Sequence, residues 1–287
     1  MADPPFGRGG VMPRLGKTAL VLAVGLLAAG PALAEEAGGG PHPQTWLNWV
    51  TSLRIGGIPL AHHPAVLAFA WSLVAVAILI TVSVFGTRRL SLRPTGLQTA
   101  LEMIVGGLRS LVVGIMGPRG DDFVPFIGSL FIYIALMNLM GLVPGFMAPT
   151  SNLNITAGLA LIVFIVVQYY GFREQGLGYL KHFIAGVPSQ FPYVLLAPLV
   201  FAVHLVGELF RPVTLALRLF GNLMAEEMVV LILIGLVVGL ARHGLPIPIQ
   251  LPNMALGLLV SLVQAAIFSM LATVYLAGVV SHTEAEQ

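Results

Sequence analysis

The stretch RPVTLALRLFGNLMAEE, residues 211–227, places two arginines and two glutamates inside one of the most apolar parts of the chain. Its surroundings from Tyr193 to Ala241 are apolar almost throughout, broken only by Pro198, His204, Glu208 and this stretch. As one helix, segment 193–241 would be roughly 73 Å long, more than twice the hydrocarbon thickness of a bilayer. It is therefore either two spans or one steeply tilted helix. A charged side chain at mid-membrane costs from about 2.5 kcal/mol to far more, so it persists only with a partner or a task.

Composition places this segment in a membrane. The 287 residues are 57% hydrophobic and only 9% charged, against about 25% charged in a soluble domain. Mean hydropathy is +0.94. With several apolar runs long enough to cross a bilayer, the fold class is an all-α polytopic membrane protein. No Lys/Arg block suggests nucleic-acid binding. Cysteine is absent, which removes disulfides, thiol nucleophiles and cysteine-ligated metals.

The spans are then placed in order. Arg8, Arg14 and Lys17 precede the short apolar run TALVLAVGLLAAG, and Ala32-Leu33-Ala34 offers a small-residue cleavage site. Residues 1–34 are therefore expected to be a cleaved signal peptide. GVMPRLGKT resembles a phosphate-binding loop, but the spacing from Gly10 to Gly16 is one residue too long. Residues 35–63 form an extracytoplasmic segment in which WLNWVTSL suits the membrane interface. The first span is expected at Pro64–Phe85, the second at Phe123–Phe146 and the third at Leu153–Phe172. The long 193–241 segment follows, and the last span runs from Asn253 to Val280. Residues 96–116 carry Glu102 and Arg109 and fit an interfacial helix or hairpin.

Positive charge decides the parity of these spans. Outside the leader, Arg88, Arg89, Arg93, Arg109, Arg119, Arg173 and Lys181 fall on one side of a five-span scheme, and Arg54 and Arg242 on the other. The rule that basic loops stay inside puts the mature N-terminus outside and the C-terminus in the cytoplasm. It also favours a single tilted helix through 195–240.

Drawn as a helix at about 100° per residue, this segment acquires a polar stripe. Arg211 lies about 20° from Arg218, and His204 and Asn222 about 40°; the stripe is roughly 27 Å long. Thr214 and Ala225 add small side chains that allow close approach of another helix. Glu208 and Glu226 fall about 80° away and Glu227 almost opposite. An ion-pair network within the chain would explain Arg218, but acids are scarce at this depth and mostly off the stripe. A counter-charge from another subunit, a ligand or an ion is therefore expected at Arg218. Arg211 is expected either to share that role or to snorkel toward the cytoplasmic interface. Gln264 and Asn138, both mid-span, are expected to make helix-to-helix hydrogen bonds. His204 and Glu208 have the i, i+4 spacing of a metal pair, but two ligands without a third do not make a site. No H-E-x-x-H, G-x-S-x-G or paired catalytic carboxylates occur, so neither catalysis by the chain alone nor a cofactor is expected.

RPVTLALRLFGNLMAEE resembles the signature of subunit a of F-type ATP synthases, with its core LRLFGN and an acid nine residues past the arginine. ALMNLMGLVPGF with APTSNLNIT resembles the second-helix and loop signature of that family, and LVQAAIFSMLATVYL its last helix. The matches run in order from about residue 45 to the C-terminus. The resemblance implies an ion-translocating stator subunit, the ion expected to be a proton, with residues 64–287 as its transmembrane domain and the last two helices long and tilted, which would explain the over-long segment. On matching positions it implies that Arg218 is the stator arginine facing a ring of rotor subunit c. It implies that Asn222, Glu227 and Gln264 belong to the ion path, with a peripheral-stalk subunit b as a further partner and the bacterial inner membrane as the location. Gly141 and Asn152 stand where some members have an acid, and Gly257 where some have a histidine or glutamate. That leaves Glu226 or Glu208 to supply an acid there, with His204 nearby on the polar stripe. The competing reading is an independent secondary transporter in which Arg218 binds an anionic substrate; no internal repeat of the kind such proteins carry is visible.

Overall fold

The computed structural model describes residues 54–55, 58–59, 64–87, 96–143, 146–176, 197–242 and 250–280. The expected leader, WLNWVTSL, His62-His63 and the Arg88, Arg89 and Arg93 cluster lie outside these residues. A minimal antiparallel pair, β1 (Arg54–Ile55) and β2 (Ile58–Pro59), precedes the helices, with Arg54 opposite Pro59. The helices are α1 (Pro64–Thr87), α2 (Leu97–Met116), α3 (Val124–Met140), α4 (Leu153–Gln175), α5 (Ala197–Arg242) and α6 (Gln250–Val280). Short 3₁₀ turns at Gly117–Asp122 and Pro149–Ser151 lead into α3 and α4. The fold is the expected all-α polytopic one, and among the described residues five helices are long and apolar enough to cross a membrane.

The membership of those five differs from expectation in one respect. Of the interfacial helix or hairpin expected over residues 96–116, one uninterrupted helix, Leu97–Met116, forms. With the 3₁₀ turn after it, this segment is long and apolar enough to span. Its charges are handled locally: Gln98 donates to Glu102 at 2.8 Å, and Arg109 forms a bidentate pair with Asp121 at 2.7 and 3.0 Å. Gly117 ends α2 at φ 71°, a conformation that favours glycine, while its N–H bonds Val113 O. By contrast α3 has only 17 residues and falls short of the expected Phe123–Phe146. Gly141, Leu142 and Val143 tighten into i→i−3 bonds before Pro144, which restricts the residue ahead of it to extended conformations.

Although short, α3 is the best-buried helix. Phe126, Ile127, Leu130, Tyr133, Ile134 and Met137 are buried between α6, α2 and α1. Trp71 of α1 packs on Phe146, with ring centroids 4.9 Å apart, and the Tyr133 hydroxyl donates to Ser72 O at 3.4 Å. Asn138 is fully buried and joins three elements. It donates to Ser261 O on α6 at 3.2 Å and accepts from the Thr150 hydroxyl at 2.8 Å. The expectation of an interhelical role for Asn138 is met. Asn152 caps α4, its side chain accepting from Asn154 N at 3.0 Å. Asparagine and aspartate cap about equally well, so the departure at Asn152 leaves this job intact. Gly141 has its own reason: a Cβ there would meet Ala148 Cβ at 2.8 Å.

The long segment resolves into one helix. α5 is continuous over 46 residues, roughly 69 Å, and α6 over 31. Pro212 sits inside α5 and supplies no N–H to the Glu208 carbonyl. Leu215, Ala216, Leu219 and Leu223 are buried and form the inward face, against α4, α6 and the Pro149–Ser151 turn.

Two substitutions test this account. Asn138→Leu leaves the Thr150 hydroxyl without its acceptor, so thermal unfolding of the detergent-extracted protein should reveal a loss of about 1–3 kcal/mol. Gly141→Ala should cost a similar amount, about 1–3 kcal/mol, through overpacking against Ala148. Unchanged midpoints for both would mean that neither contact bears on stability.

Candidate functional site

Burial divides the charges of α5 between two faces. Arg218 is exposed, as are Thr214, Gly221 and Ala225 around it, so a guanidinium stands on a face of small side chains. Among the described residues no ion pair reaches Arg218. His204 and Arg211 are exposed along the same side. The three acids turn elsewhere: Glu208 is buried, and Glu226 and Glu227 are half-buried.

Arg211 is paired within the chain. Its Nη1 lies 2.6 Å from Glu208 Oε2, an i, i+3 pair, and its guanidinium sits 5.1 Å from the ring centroid of Tyr275 on α6. Gln168 of α4 donates to the other Glu208 oxygen at 3.3 Å. Glu208 is 8% exposed, so its charge is matched by Arg211 and hydrogen-bonded across to α4. The three side chains tie α5 to α4 and α6. Arg211 is therefore engaged within the chain, and among the described residues no acid is paired with Arg218. The i, i+3 spacing of Glu208 and Arg211 was visible in the sequence, but Gln168 and Tyr275 come from helices whose placement was not.

Toward its C-terminal half α5 meets α6 in two polar contacts. Asn222 donates through Nδ2 to Gln264 Oε1 at 2.9 Å, which fixes the orientation of the buried Gln264 amide. One turn further on, Glu226 faces Gly257: its Oε1 occupies the place a Cβ at Gly257 would take. Any side chain at 257 would displace this carboxylate. Glu227 turns the other way and lies against Ser151 in the turn before α4. The structure thus brings Asn222, Gln264 and Glu226 together along the α5–α6 seam, separates Glu227 from them, and holds Glu208 two to three turns from Arg218. His204 and Glu208 acquire no third ligand: among the described residues no group of three or more His, Cys, Asp or Glu could hold a metal.

The comparisons with known proteins agree on one family. The model of the family described as ATP synthase A chain matches residues 69–277. The chain is 38% identical over 244 residues to ATP synthase subunit a of Citrifermentans bemidjiense, covering 84% of this chain and 98% of that one. It is 42% identical over 215 residues to subunit a of Protochlamydia amoebophila, covering 72% and 79%. It is 40% identical over 211 residues to subunit a of Geobacter sulfurreducens, covering 74% and 86%. With its apolar helices and a family match that covers most of its length, the chain belongs to the ATP synthase subunit a family, multi-pass membrane subunits of that complex.

Proposed function

We propose that this chain is the ion-conducting stator subunit of a rotary ATP synthase, with Arg218 as the fixed charge that discharges a carboxylate on a ring of c subunits. One observation carries the reading. Arg218 is exposed on a face of small residues and has no acid against it among the described residues, while every acid of α5 turns to another face. An opposite charge at close range favours the ionised form of a carboxylate. A protonated rotor carboxyl brought to Arg218 would therefore release its proton to a polar path on one side of the arginine. The same cation bars a direct leak between the two half-channels. Ion flow is driven by about 2.3 kcal/mol per charge per 100 mV.

The seam supports a division of labour around Arg218. Asn222 and Gln264 hold each other one turn away and order the polar surface beside the arginine. Of the two acids that could stand in at Gly257, Glu226 fits and Glu208 does not, since Glu208 is committed to Arg211 and Gln168. Glu226 is assigned to the outer half-channel. Glu227, against Ser151, serves as a relay rather than a ring contact. Subunit b of the peripheral stalk is the further partner. The bacterial inner membrane, with the mature N-terminus outside and the C-terminus in the cytoplasm, is the location that the charge asymmetry supports. An independent transporter using Arg218 for an anionic substrate finds no favouring observation beside the family assignment.

Arg218→Ala in the assembled complex should abolish ATP-driven ion uptake into vesicles, by more than about 100-fold if a desolvated charge pair is lost. Co-purification of the ring with the chain should be unaffected. Retained pumping would overturn the stator reading. The Glu226–Gly257 contact predicts an exchange effect. Gly257→Glu alone sets two acids in one space and should cut pumping at least about tenfold, because like charges at close range cannot both stay ionised. Adding Glu226→Gly to it should recover most of the activity, and no recovery would mean that the acid's position on α5 matters for itself.

A further inference from the structure

Among the described residues, three buried polar atoms along the α5–α6 seam find no hydrogen-bond partner: Glu226 Oε2, Ser261 Oγ and Gln264 Nε2. Ser261 and Gln264 are only 1% and 3% exposed. Buried polar groups in folded proteins are almost always satisfied, and where protein supplies no partner, ordered water does. These atoms also belong to one locus. Gly257, Ser261 and Gln264 follow one another at i, i+4 and i+7, so they share a face of α6. That face meets α5 in the Glu226–Gly257 and Asn222–Gln264 contacts. The helices run antiparallel there, and Ser261 lies between the two contacts.

The two contacts are spaced differently on the two helices. The contacts are about 6 Å apart along α5 but about 10.5 Å apart along α6. Helical side chains lean toward the N-terminus, so the Gln264 amide reaches back over Ser261. Its orientation is fixed because Asn222 holds Oε1, which turns Nε2, a donor only, away from Asn222. The Glu226 Oε2 is an acceptor when ionised, and the Ser261 hydroxyl is both donor and acceptor. Ser261 backbone O is held by Asn138, so the residue that carries the hydroxyl is tied to α3.

We infer that the α5–α6 seam contains a built water site seated on Ser261, in which at least one ordered water bridges the Gln264 amide to the Glu226 carboxylate. The donor–acceptor pattern closes: the water accepts from Gln264 Nε2–H and from the Ser261 hydroxyl, and donates to Glu226 Oε2. Ser261 is a positioning residue, since it touches the bridging water and not the rotor. This use of the site rests on the assignment of Glu226 to the outer half-channel, where the water would extend the polar path from Glu226 toward Asn222 and Arg218. A proton taken up by the water on one side is matched by one released on the other, so the water is regenerated.

The test uses the assembled complex in vesicles, comparing Ser261→Ala with Ser261→Thr. Both are small changes, and co-purification of the ring checks assembly. Passive ion conductance of the membrane sector, stripped of its catalytic head, should fall about fivefold in Ser261→Ala, as expected for the loss of one hydrogen bond to the conducting path. Ser261→Thr, which keeps the hydroxyl, should stay within about twofold of the parent, well under the weight of one hydrogen bond. Unchanged conductance in Ser261→Ala, or an equal loss in Ser261→Thr, would overturn the proposal. A density map of the intact complex that resolves ordered water supplies the second readout. Water at Ser261 Oγ, absent in Ser261→Ala, supports the site, and an empty seam in the parent refutes it. These outcomes are separable from the stator reading, because Arg218→Ala leaves the water in place while abolishing pumping. If Arg218→Ala pumps normally and the water is present, the stator assignment fails and the hydration site stands.

Discussion

Unmatched charge in a water-poor surround is the constraint on which this structure turns. The sequence confines its few ionisable groups at this depth to one helix, and the fold disposes of them one by one. Glu208 is matched by Arg211 and bonded to Gln168. Glu226 fills the space left by Gly257, and Glu227 is turned onto the Pro149–Ser151 turn. What remains is Arg218, whose desolvation no acid among the described residues offsets.

Much of the architecture was legible in the sequence, because hydrophobic runs bounded by glycine, proline and charge are local signals. α1, α4, α5 and α6 begin and end within a few residues of where composition put them, and α5 forms as one helix, as the charge parity favoured. The errors arose where a local stop competes with a long apolar run. Gly141 and Pro144 end α3 early although the residues beyond remain apolar. Of the interfacial helix or hairpin that Glu102 and Arg109 suggested at residues 96–116, the helix is the one that forms, since each charge finds a partner nearby and the run continues long enough to span.

The site was legible as a stripe but not as a set of contacts. Helical periodicity alone grouped His204, Arg211, Arg218 and Asn222, and the structure keeps all four exposed. It could not show that Arg211 is withdrawn from this group, since Tyr275 and Gln168 lie on α6 and α4, far away in sequence. Nor could it show that Glu226 faces Gly257 or that Asn222 meets Gln264. Such pairings depend on how neighbouring helices are registered, which periodicity within one helix does not encode.

The continuity of α5 has a mechanical meaning. Arg218 lies near the middle of a single 46-residue rod, between two sets of anchors. On one side Glu208 and Arg211 fasten the rod to α4 and α6, and on the other Asn222 and Glu226 fasten it to α6. The stretch from Glu208 to Asn222 is roughly 21 Å long. A sideways force on the Arg218 guanidinium is thus borne as a short, doubly supported beam would bear it. Its deflection is limited by stretching backbone hydrogen bonds, not by swinging a loop. Pro212 is the one place where that beam lacks a bond, and it lies beside the Glu208–Arg211 anchor, where the added compliance is best contained.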